Sequence, residues 1–129
     1  MLIIKPIQTK EEQKEICEMC GVEFNVCAMA YAARENDDVI GISQFRILGK
    51  YAVIYDLANA VGVDDLEALI IMGRATLNFI DLCGVQDVII KSENRNLPKI
   101  LGFKKDGEGE YKINLEGYFD SPCSNQNNG

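Results

Sequence analysis

Residues 51–90 read YAVIYDLANAVGVDDLEALIIMGRATLNFIDLCGVQDVII. Val, Ile and Tyr are concentrated in the first eight residues, which predicts a β-strand over 51–58. Apolar residues then recur at helical spacing, and the acidic residues just before them suit the positive end of a helix dipole, so a long helix is predicted over 66–83. Gly84 ends this helix, and the apolar run 86–91 predicts a second strand. A strand, a long helix and a strand in this order are typical of a parallel crossover.

The apolar stripe of the long helix predicts which face packs against the sheet. Its members are Leu66, Leu69, Ile70, Gly73, Leu77 and Ile80. Arg74, Asn78 and Asp81 lie off this stripe, as in an amphipathic helix.

The segment before residue 51 predicts a strand, a helix and two further strands. An apolar strand over 2–7 is followed by a capping box, with Thr9 as the N-cap and Glu12 as the third helical residue. The helix is expected to run to about Cys20 and to stop at Gly21. Two strands follow and form an antiparallel meander with the strand that begins at residue 51; their ranges are 26–35 and 39–48.

The segment after residue 91 predicts one helical turn over 97–101 and a final hairpin of strands 103–106 and 110–115. The element order is therefore β-α-β-β-β-α-β-α-β-β. This order predicts an α/β (α+β) fold with a mixed, mostly antiparallel sheet and one central crossover helix. We expect one domain over 1–119 and a polar C-terminal tail over 120–129.

Composition narrows the chemistry that is available. The 129 residues include 13 Lys and Arg against 20 Asp and Glu, a net charge of −7, which disfavours a global attraction to nucleic acid. There is no histidine, so His nucleophile pairs, His metal ligands and His general bases are excluded. The segment 91–105 is locally positive, with Lys91, Arg95, Lys99, Lys104 and Lys105. We interpret it as either a solvated surface or a patch for a phosphorylated ligand.

Five cysteines, an odd number, occur in an acidic chain with no segment typical of a signal peptide or a membrane span. This pattern predicts a reduced, cytoplasmic protein.

Cys17 and Cys20 form a CxxC at the C-terminal end of a helix, where the dipole does not activate a thiol. A structural role is therefore favoured, and a small cysteine-based redox or metal protein is kept as a separate hypothesis. The pairs Asp37-Asp38 and Asp64-Asp65 are interpreted as turn and cap residues.

Four elements follow one another along the chain: the meander, the irregular segment after residue 58, the long helix and the strand at Val88-Ile89-Ile90. Asn94 then precedes Leu101-Gly102-Phe103, and a hairpin follows. Over roughly residues 1–117, this order and the N…LGF ending resemble the GNAT superfamily of N-acetyltransferases. The resemblance implies an acyl-CoA N-acyltransferase fold and direct transfer of an acetyl group from acetyl-CoA, or another acyl-CoA, to an amine.

The resemblance also implies where the cofactor binds. Acyl-CoA would lie in a V-shaped opening between strands 51–58 and 86–91, with its pyrophosphate on the N-terminus of the long helix, where free N–H groups attract anions. The residues implied to bind it are Ala58, Asn59, Ala60, Val61, Gly62, Val63, Asp64, Asp65, Leu66, Ser92 and Asn94. The backbone N–H groups of 59–61 would polarise the thioester carbonyl. The segment 91–105 would help with the other phosphates.

Three side chains are candidates for the general base: Asp56, Tyr55 and, as a third option, Tyr51. The negative net charge favours a cationic amine, from a small molecule or a protein. We expect no nucleic-acid and no membrane partner. Exposed edges of the meander make a homodimer one option.

Two departures from the family pattern support an alternative function. The family's pyrophosphate loop, R/Q-x-x-G-x-G/A, corresponds to about 62–68, which lacks the basic residue and the closely spaced glycines. Pro98 falls where the family often has a tyrosine that acts as general acid. The alternative is therefore a catalytically inactive GNAT-like domain for binding or assembly, whose opening would be filled by side chains such as Leu66 or Leu69.

Overall fold

The computed structural model describes residues 1–92 and 96–120, in which seven strands form one sheet and three helices pack against it. The elements are β1 (Leu2–Pro6), α1 (Lys10–Cys20), β2 (Met29–Glu35), β3 (Asp38–Leu48), β4 (Tyr51–Asn59), α2 (Leu66–Leu82), β5 (Asp87–Ile90), α3 (Asn96–Leu101), β6 (Lys104–Lys105) and β7 (Tyr111–Asn114). This is the predicted order. Asn94, Arg95 and the predicted tail beyond Asp120 lie outside the described residues.

The sheet is mixed and mostly antiparallel, as predicted. Its strand order is β1-β2-β3-β4-β5-β7-β6, and every neighbouring pair is antiparallel except β4 and β5. These two parallel strands are joined by α2, because parallel neighbours need a long crossover connection. The predicted meander, β2 to β4, and the central crossover helix are both confirmed.

The two long helices lie on opposite faces of the sheet. Alternate residues of a strand point to opposite faces, and in β2 Ala33 belongs to the larger apolar cluster, whereas Ala30 and Ala32 belong to a separate one. The larger cluster includes the buried face of α2, and the separate one includes Ile16 and Cys17 of α1. Each helix therefore covers one face.

The helix ends follow the predicted capping signals. Thr9 Oγ1 accepts a hydrogen bond from Glu12 N at 3.1 Å, and Gly21 ends α1 in the left-handed conformation (φ 66°). The carboxylate of Glu12 lies 3.1 Å from Arg34 of β2, so this side chain forms an ion pair between α1 and β2. Asp65 caps α2 by accepting from Ala68 N at 3.0 Å.

The buried face of α2 differs from the predicted stripe at one important position. Leu66, the first residue of α2, is 42% exposed. The positions that are buried are Ala68, Leu69, Met72, Gly73, Thr76, Leu77 and Ile80.

Five strands are shorter than predicted, and in β2 and β6 a local hydrogen bond accounts for the later start. β2 begins at Met29 rather than at residue 26, since Ala28 N donates to Asn25 O in a turn. β6 contains only Lys104 and Lys105, since Phe103 N donates back to Pro98 O at 2.8 Å.

The final hairpin contains the predicted turn over 107–109. The carboxylate of Asp106 holds it by accepting from the backbone N–H groups of Glu108 and Glu110 and from Lys112 Nζ. The hydrogen bond from Lys112, with those from Glu110 and Glu108, lowers the pKa of Asp106 to about 2. The turn is therefore a structural element, as interpreted from the sequence.

The CxxC pair is buried, which supports its structural interpretation. Cys17 and Cys20 pack in the apolar cluster under α1, and burial is the main cause that raises the pKa of Cys17 to about 11 and that of Cys20 to about 12. Over residues 1–92 and 96–120 there is no group of three or more side chains suited to a metal ion. In the same residues no helix is both long and apolar enough to cross a membrane.

Thiol labelling checks this assignment. We expect iodoacetamide at pH 8 to alkylate the exposed Cys27 and Cys83 in the native protein, and Cys17 and Cys20 only after denaturation. The reason is that the thiolate is the reactive form, and at pH 8 the buried thiols stay protonated. Peptide mass spectrometry measures the labelling at each site. Rapid alkylation of Cys17 in the folded protein would contradict the prediction.

Candidate functional site

The parallel strands β4 and β5 separate part of the way along the sheet. They pair from Tyr51 and Asp87 as far as Ile54 and Ile90, and Lys91 N then donates to Ile54 O at 2.9 Å. Beyond this bond, residues 56–59 of β4 pair with β3 alone among the described strands. An opening of about 500 Å³ lies there. Its lining residues are Gly21, Val22, Glu23, Tyr55, Asp56, Leu57, Ala58, Asn59, Leu69, Lys91 and Ser92, and we call it the β4–β5 opening.

A β-bulge lies at the point where the strands separate. Gln44 of β3 is opposite Asp56, but the next residue, Phe45, is opposite Ile54, so Tyr55 is the extra residue. A bulge bends its strand and changes the direction of nearby side chains. Neighbouring residues of a regular strand point to opposite faces, whereas Tyr55 and Asp56 both contribute to the lining of the β4–β5 opening.

The free edge of β4 presents backbone groups to this opening. Ala60 N donates to Ile40 O at 2.7 Å. In an antiparallel pair, the backbone N–H and C=O groups of every second residue face the partner strand, and those of the residues between face away from it. The N–H and C=O groups of Leu57 and Asn59 therefore point away from β3. An extended ligand lying in the opening could pair with them as a strand does.

The side chain of Asn59 fastens the start of α2 to the end of β4. Its Oδ1 accepts from Asp65 N at 3.1 Å, and its Nδ2 donates to Asp65 O at 3.2 Å and to Ile40 O at 3.3 Å. Asn59 was predicted to bind the cofactor. Its side chain instead holds the loop, and its backbone faces the opening.

Two of the N–H groups expected to polarise a carbonyl are already used within the protein. Ala60 N donates to Ile40 O and Val61 N to Met19 O at 2.8 Å. The expectation for 59–61 is therefore wrong at these two residues, because they connect β4 to the neighbouring strand and to α1. At the start of α2, the N–H groups of Gly62, Leu66 and Glu67 donate to no other described residue.

Acidic side chains surround this helix start, as the sequence indicated. Asp64 and Glu67 are exposed, and Asp65 is the N-cap. Ala68 N is taken by the Asp65 carboxylate, so an anion at this terminus would meet two free helical N–H groups and three carboxylates.

Asp56 is held by a buried amide. Its Oδ2 accepts from Gln44 Nε2 at 2.7 Å, and Gln44 is fully buried. Asp56 and Tyr55 also line a second depression of about 420 Å³, on the side of the loop between α1 and β2. Its other lining residues are Glu23, Phe24, Asn25 and Val26, and we call it the loop-side depression.

The structure separates some predicted residues from this centre. Tyr51, the third candidate base, begins β4 and lines a depression at the other end of β5. It lies about 26 Å along the strand from Asn59, at about 3.3 Å per residue. Pro98 is buried in α3, and a proline has neither a backbone N–H nor a side-chain proton to donate.

The positive segment is partly neutralised. Lys91 lies in the β4–β5 opening and pairs with Glu110 at 3.6 Å. Lys105 is exposed and lines a separate depression beside Lys91 and Ser92. Arg95 and Asn94 lie outside the described residues, so their predicted contacts with a phosphate stay predictions.

Gln44 and Glu23 are site residues that sequence reasoning missed. Gln44 is a polar residue within the largely apolar strand predicted over 39–48. Its position there could have indicated a buried hydrogen-bond network, because a buried amide needs partners. Glu23 lies in an irregular loop and gave no comparable signal.

Solved structures resemble this architecture closely. The IAA acetyltransferase from Bacillus cereus has a TM-score of 0.70 at 18% identity, covering 83% of this chain and 79% of its own. The spermidine/spermine N-acetyltransferase SpeG from Vibrio cholerae has a TM-score of 0.71 at 9% identity, covering 93% and 98%. A GNAT family acetyltransferase from Elizabethkingia anophelis with acetyl-CoA bound has a TM-score of 0.62 at 13% identity, covering 81% and 77%.

Sequence comparison adds nothing to this structural similarity: no protein-family model matches the chain, and no curated protein matches it. Identities of 9–18% establish the fold and leave the chemistry to be argued from the site. The element order, the sheet topology and these structural similarities together show that the protein has the GNAT N-acetyltransferase fold.

Proposed function

We propose that the protein is an N-acetyltransferase that moves an acetyl group directly from acetyl-CoA to an amine. The observation that carries this proposal is the β4–β5 opening, which has the free backbone edge of β4 along one side and the Asp56 carboxylate in its wall. A protein of the same fold has been solved with acetyl-CoA bound, which supports acetyl-CoA as the ligand of this opening.

The residues present fit the pantetheine part of acetyl-CoA. Its two amide groups would pair with the backbone of Leu57 and Asn59, as a short added strand. The pyrophosphate would lie on the N–H groups of Gly62, Leu66 and Glu67, where the α2 dipole favours an anion. The carboxylates of Asp64, Asp65 and Glu67 oppose this, so we expect weaker binding than a basic loop would give.

Substituting one of these acids tests the phosphate position. Glu67→Gln removes a negative charge near the proposed pyrophosphate and keeps the side-chain shape, so we expect acetyl-CoA affinity to rise about fivefold at low salt, from roughly 1 kcal/mol of relieved repulsion. The gain should shrink at 0.3 M salt, where exposed charges are screened. Calorimetry at both salt concentrations measures it, with Glu116→Gln, on an exposed turn after β7, as the matched control. An equal change in both variants would contradict the placement.

The proposed transfer needs one proton acceptor on the protein, with solvent taking the second proton of the ammonium ion, and no covalent enzyme intermediate. The amine arrives as an ammonium ion and gives a proton to Asp56, directly or through one water molecule. Its nitrogen lone pair then forms the C–N bond to the thioester carbonyl, the C–S bond breaks, and the CoA thiolate leaves. The acetylated nitrogen gives its second excess proton to solvent, and the thiolate takes a proton from solvent, because Pro98 has none to give.

The loop-side depression is the place we propose for the amine. It combines two carboxylates, Glu23 and Asp56, with the aromatic rings of Phe24 and Tyr55. Carboxylates and ring faces both attract organic cations, so a cationic amine is favoured. We also propose the cytoplasm as its setting, since the four described cysteines are free; a homodimer stays a prediction.

A second candidate function is a GNAT-like domain that binds a partner without catalysis. The acidic start of α2 and Pro98 favour it. Its prediction of an opening filled by Leu66 or Leu69 is wrong for Leu66, which is exposed, whereas Leu69 is part of the wall of an open cleft.

Binding and turnover experiments decide between the two functions. We expect saturable heat on titration with acetyl-CoA, and thiol release when acetyl-CoA is mixed with spermidine, a simple alkylamine or a lysine peptide. Absence of heat at 1 mM acetyl-CoA would overturn the proposal. Binding without thiol release from any amine would favour the non-catalytic domain.

A further inference from the structure

The amide of Gln44 is fully buried, and each of its hydrogen-bonding positions has a partner. Oε1 accepts from Gln13 Nε2 at 2.8 Å and from Asn25 N at 3.1 Å. Nε2 donates to Glu23 O at 2.9 Å and to Asp56 Oδ2 at 2.7 Å. A backbone N–H can only donate, and a carboxylate can only accept. The partners therefore determine which way the amide points.

These four bonds join three parts of the molecule at one point. Gln13 belongs to α1, Glu23 and Asn25 belong to the loop that lines the loop-side depression, and Asp56 follows the β-bulge in β4. The network continues through Gln13, whose Oε1 accepts from Lys10 Nζ at 3.0 Å and whose Nε2 also donates to Asn25 O at 3.1 Å.

We propose that Gln44 is a positioning residue for acetyl transfer: it holds the Asp56 carboxylate and the loop 23–26 in one fixed relation. This inference rests on the proposed function. A donor on Oδ2 favours the ionised carboxylate, which is the form that accepts a proton. The bonds to Glu23 O and Asn25 N fix the opposite wall of the depression, so a bound amine would meet the carboxylate at a defined position.

Other titratable groups surround Asp56. Cys17 and Cys20 of α1 lie close enough for the carboxylate to raise their pKa values. Glu23 faces it from the loop, and Lys91 faces it across the β4–β5 opening. Tyr55 is its neighbour in the bulge. Comparing two substitutions at residue 44 separates the effect of that residue from the effects of these groups.

The test compares Gln44→Glu with Gln44→Met. The glutamate keeps an oxygen for Gln13 and Asn25 but places a second carboxylate against Asp56, and neighbouring carboxylates share a proton up to a higher pH. We expect the acidic limb of the pH–rate profile to move up by about one unit. The methionine removes all four bonds, so we expect a rate loss of about 10- to 100-fold and loss of hydrogen-exchange protection at Asn25 N–H.

Ser43→Ala is the matched control. Ser43 is the neighbouring buried residue of β3, and its hydroxyl shares a hydrogen bond of 2.9 Å with Thr76. Ser43→Ala therefore removes a buried polar contact on the opposite face of the sheet. We expect it to leave the pH–rate profile and the exchange protection of Asn25 N–H unchanged. If Gln44→Met does not fold, Gln44→Glu alone provides the comparison with this control.

The outcomes distinguish this inference from the proposed function. If the wild-type protein is active and both Gln44 variants behave like Ser43→Ala, Gln44 has no positioning role. If the wild-type protein acetylates no amine, the proposed function fails, and the exchange of Asn25 N–H still tests the network. The network is supported if the Asn25 N–H stays protected in Gln44→Glu and loses protection in Gln44→Met. It is overturned if the protection is unchanged in both variants.

Discussion

Replacing Asp56 with asparagine is expected to lower the rate of acetyl transfer by roughly 10²- to 10⁴-fold, the usual contribution of a general base. The substitution removes the proposed proton acceptor and keeps the shape of the side chain. The amide oxygen of asparagine can still accept from Gln44 Nε2, which now bonds Asp56 Oδ2 at 2.7 Å. We therefore expect the folded structure and the affinity for acetyl-CoA to be retained, as measured by calorimetry beside the rate of thiol release.

Tyr55→Phe is the natural comparison for this variant. Tyr55 lines the same opening and was the other leading candidate for the base. If Asp56 accepts the proton, removing the tyrosine hydroxyl should change the rate much less than Asp56→Asn does. A fully active Asp56→Asn protein together with an inactive Tyr55→Phe protein would assign the base to Tyr55 instead.

Replacing Gly41 with alanine is expected to have the largest effect on stability. A Cβ at this position would lie 2.6 Å from the carbonyl oxygen of Ala58 and 3.3 Å from Met72 Cε. The first contact is with backbone, so β3 and β4 would have to move apart. Overpacking of this kind costs about 3 kcal/mol at the upper end of its usual range. We expect the melting temperature to fall by roughly 10 °C.

The same strain should reach the proposed site, since Ala58 lines the β4–β5 opening. We therefore expect Gly41→Ala to weaken acetyl-CoA binding even where the protein is still folded. Gly107→Ala is the matched control: a Cβ at Gly107 meets no atom within 4 Å. Urea denaturation of both variants measures the difference. Equal stability of the two would contradict the close approach of β3 and β4 at Gly41.

Much of the fold follows from short-range patterns in the sequence. Thr9 and Gly21 mark the ends of α1, and the acidic turn before residue 66 and Gly84 mark the ends of α2. These signals involve residues at most four positions apart, so the chain alone contains the information. The burial of Cys17 and Cys20 was predictable for the same reason: both lie on the apolar face of a helix.

The predictions were weaker wherever the outcome depended on how distant segments meet. Leu66 continued the apolar stripe of α2, yet it is exposed, because burial depends on which residues of distant segments lie beside the helix start. The N–H groups of Ala60 and Val61 were expected to face a ligand. They bond to Ile40 and Met19 instead, which lie 20 and 42 positions earlier in the chain.

By itself the sequence determined the order of the elements, their caps and the single parallel crossover, because each depends on local periodicity and on the length needed to cross the sheet. Only the tertiary structure decided the functional geometry. The bulge at Tyr55 depends on the register between β3 and β4, and the β4–β5 opening depends on where β5 ends. Gln44 reaches Asp56, Gln13 and the loop because three segments distant in sequence bury their polar groups together, and a buried polar group has to find partners wherever the fold provides them.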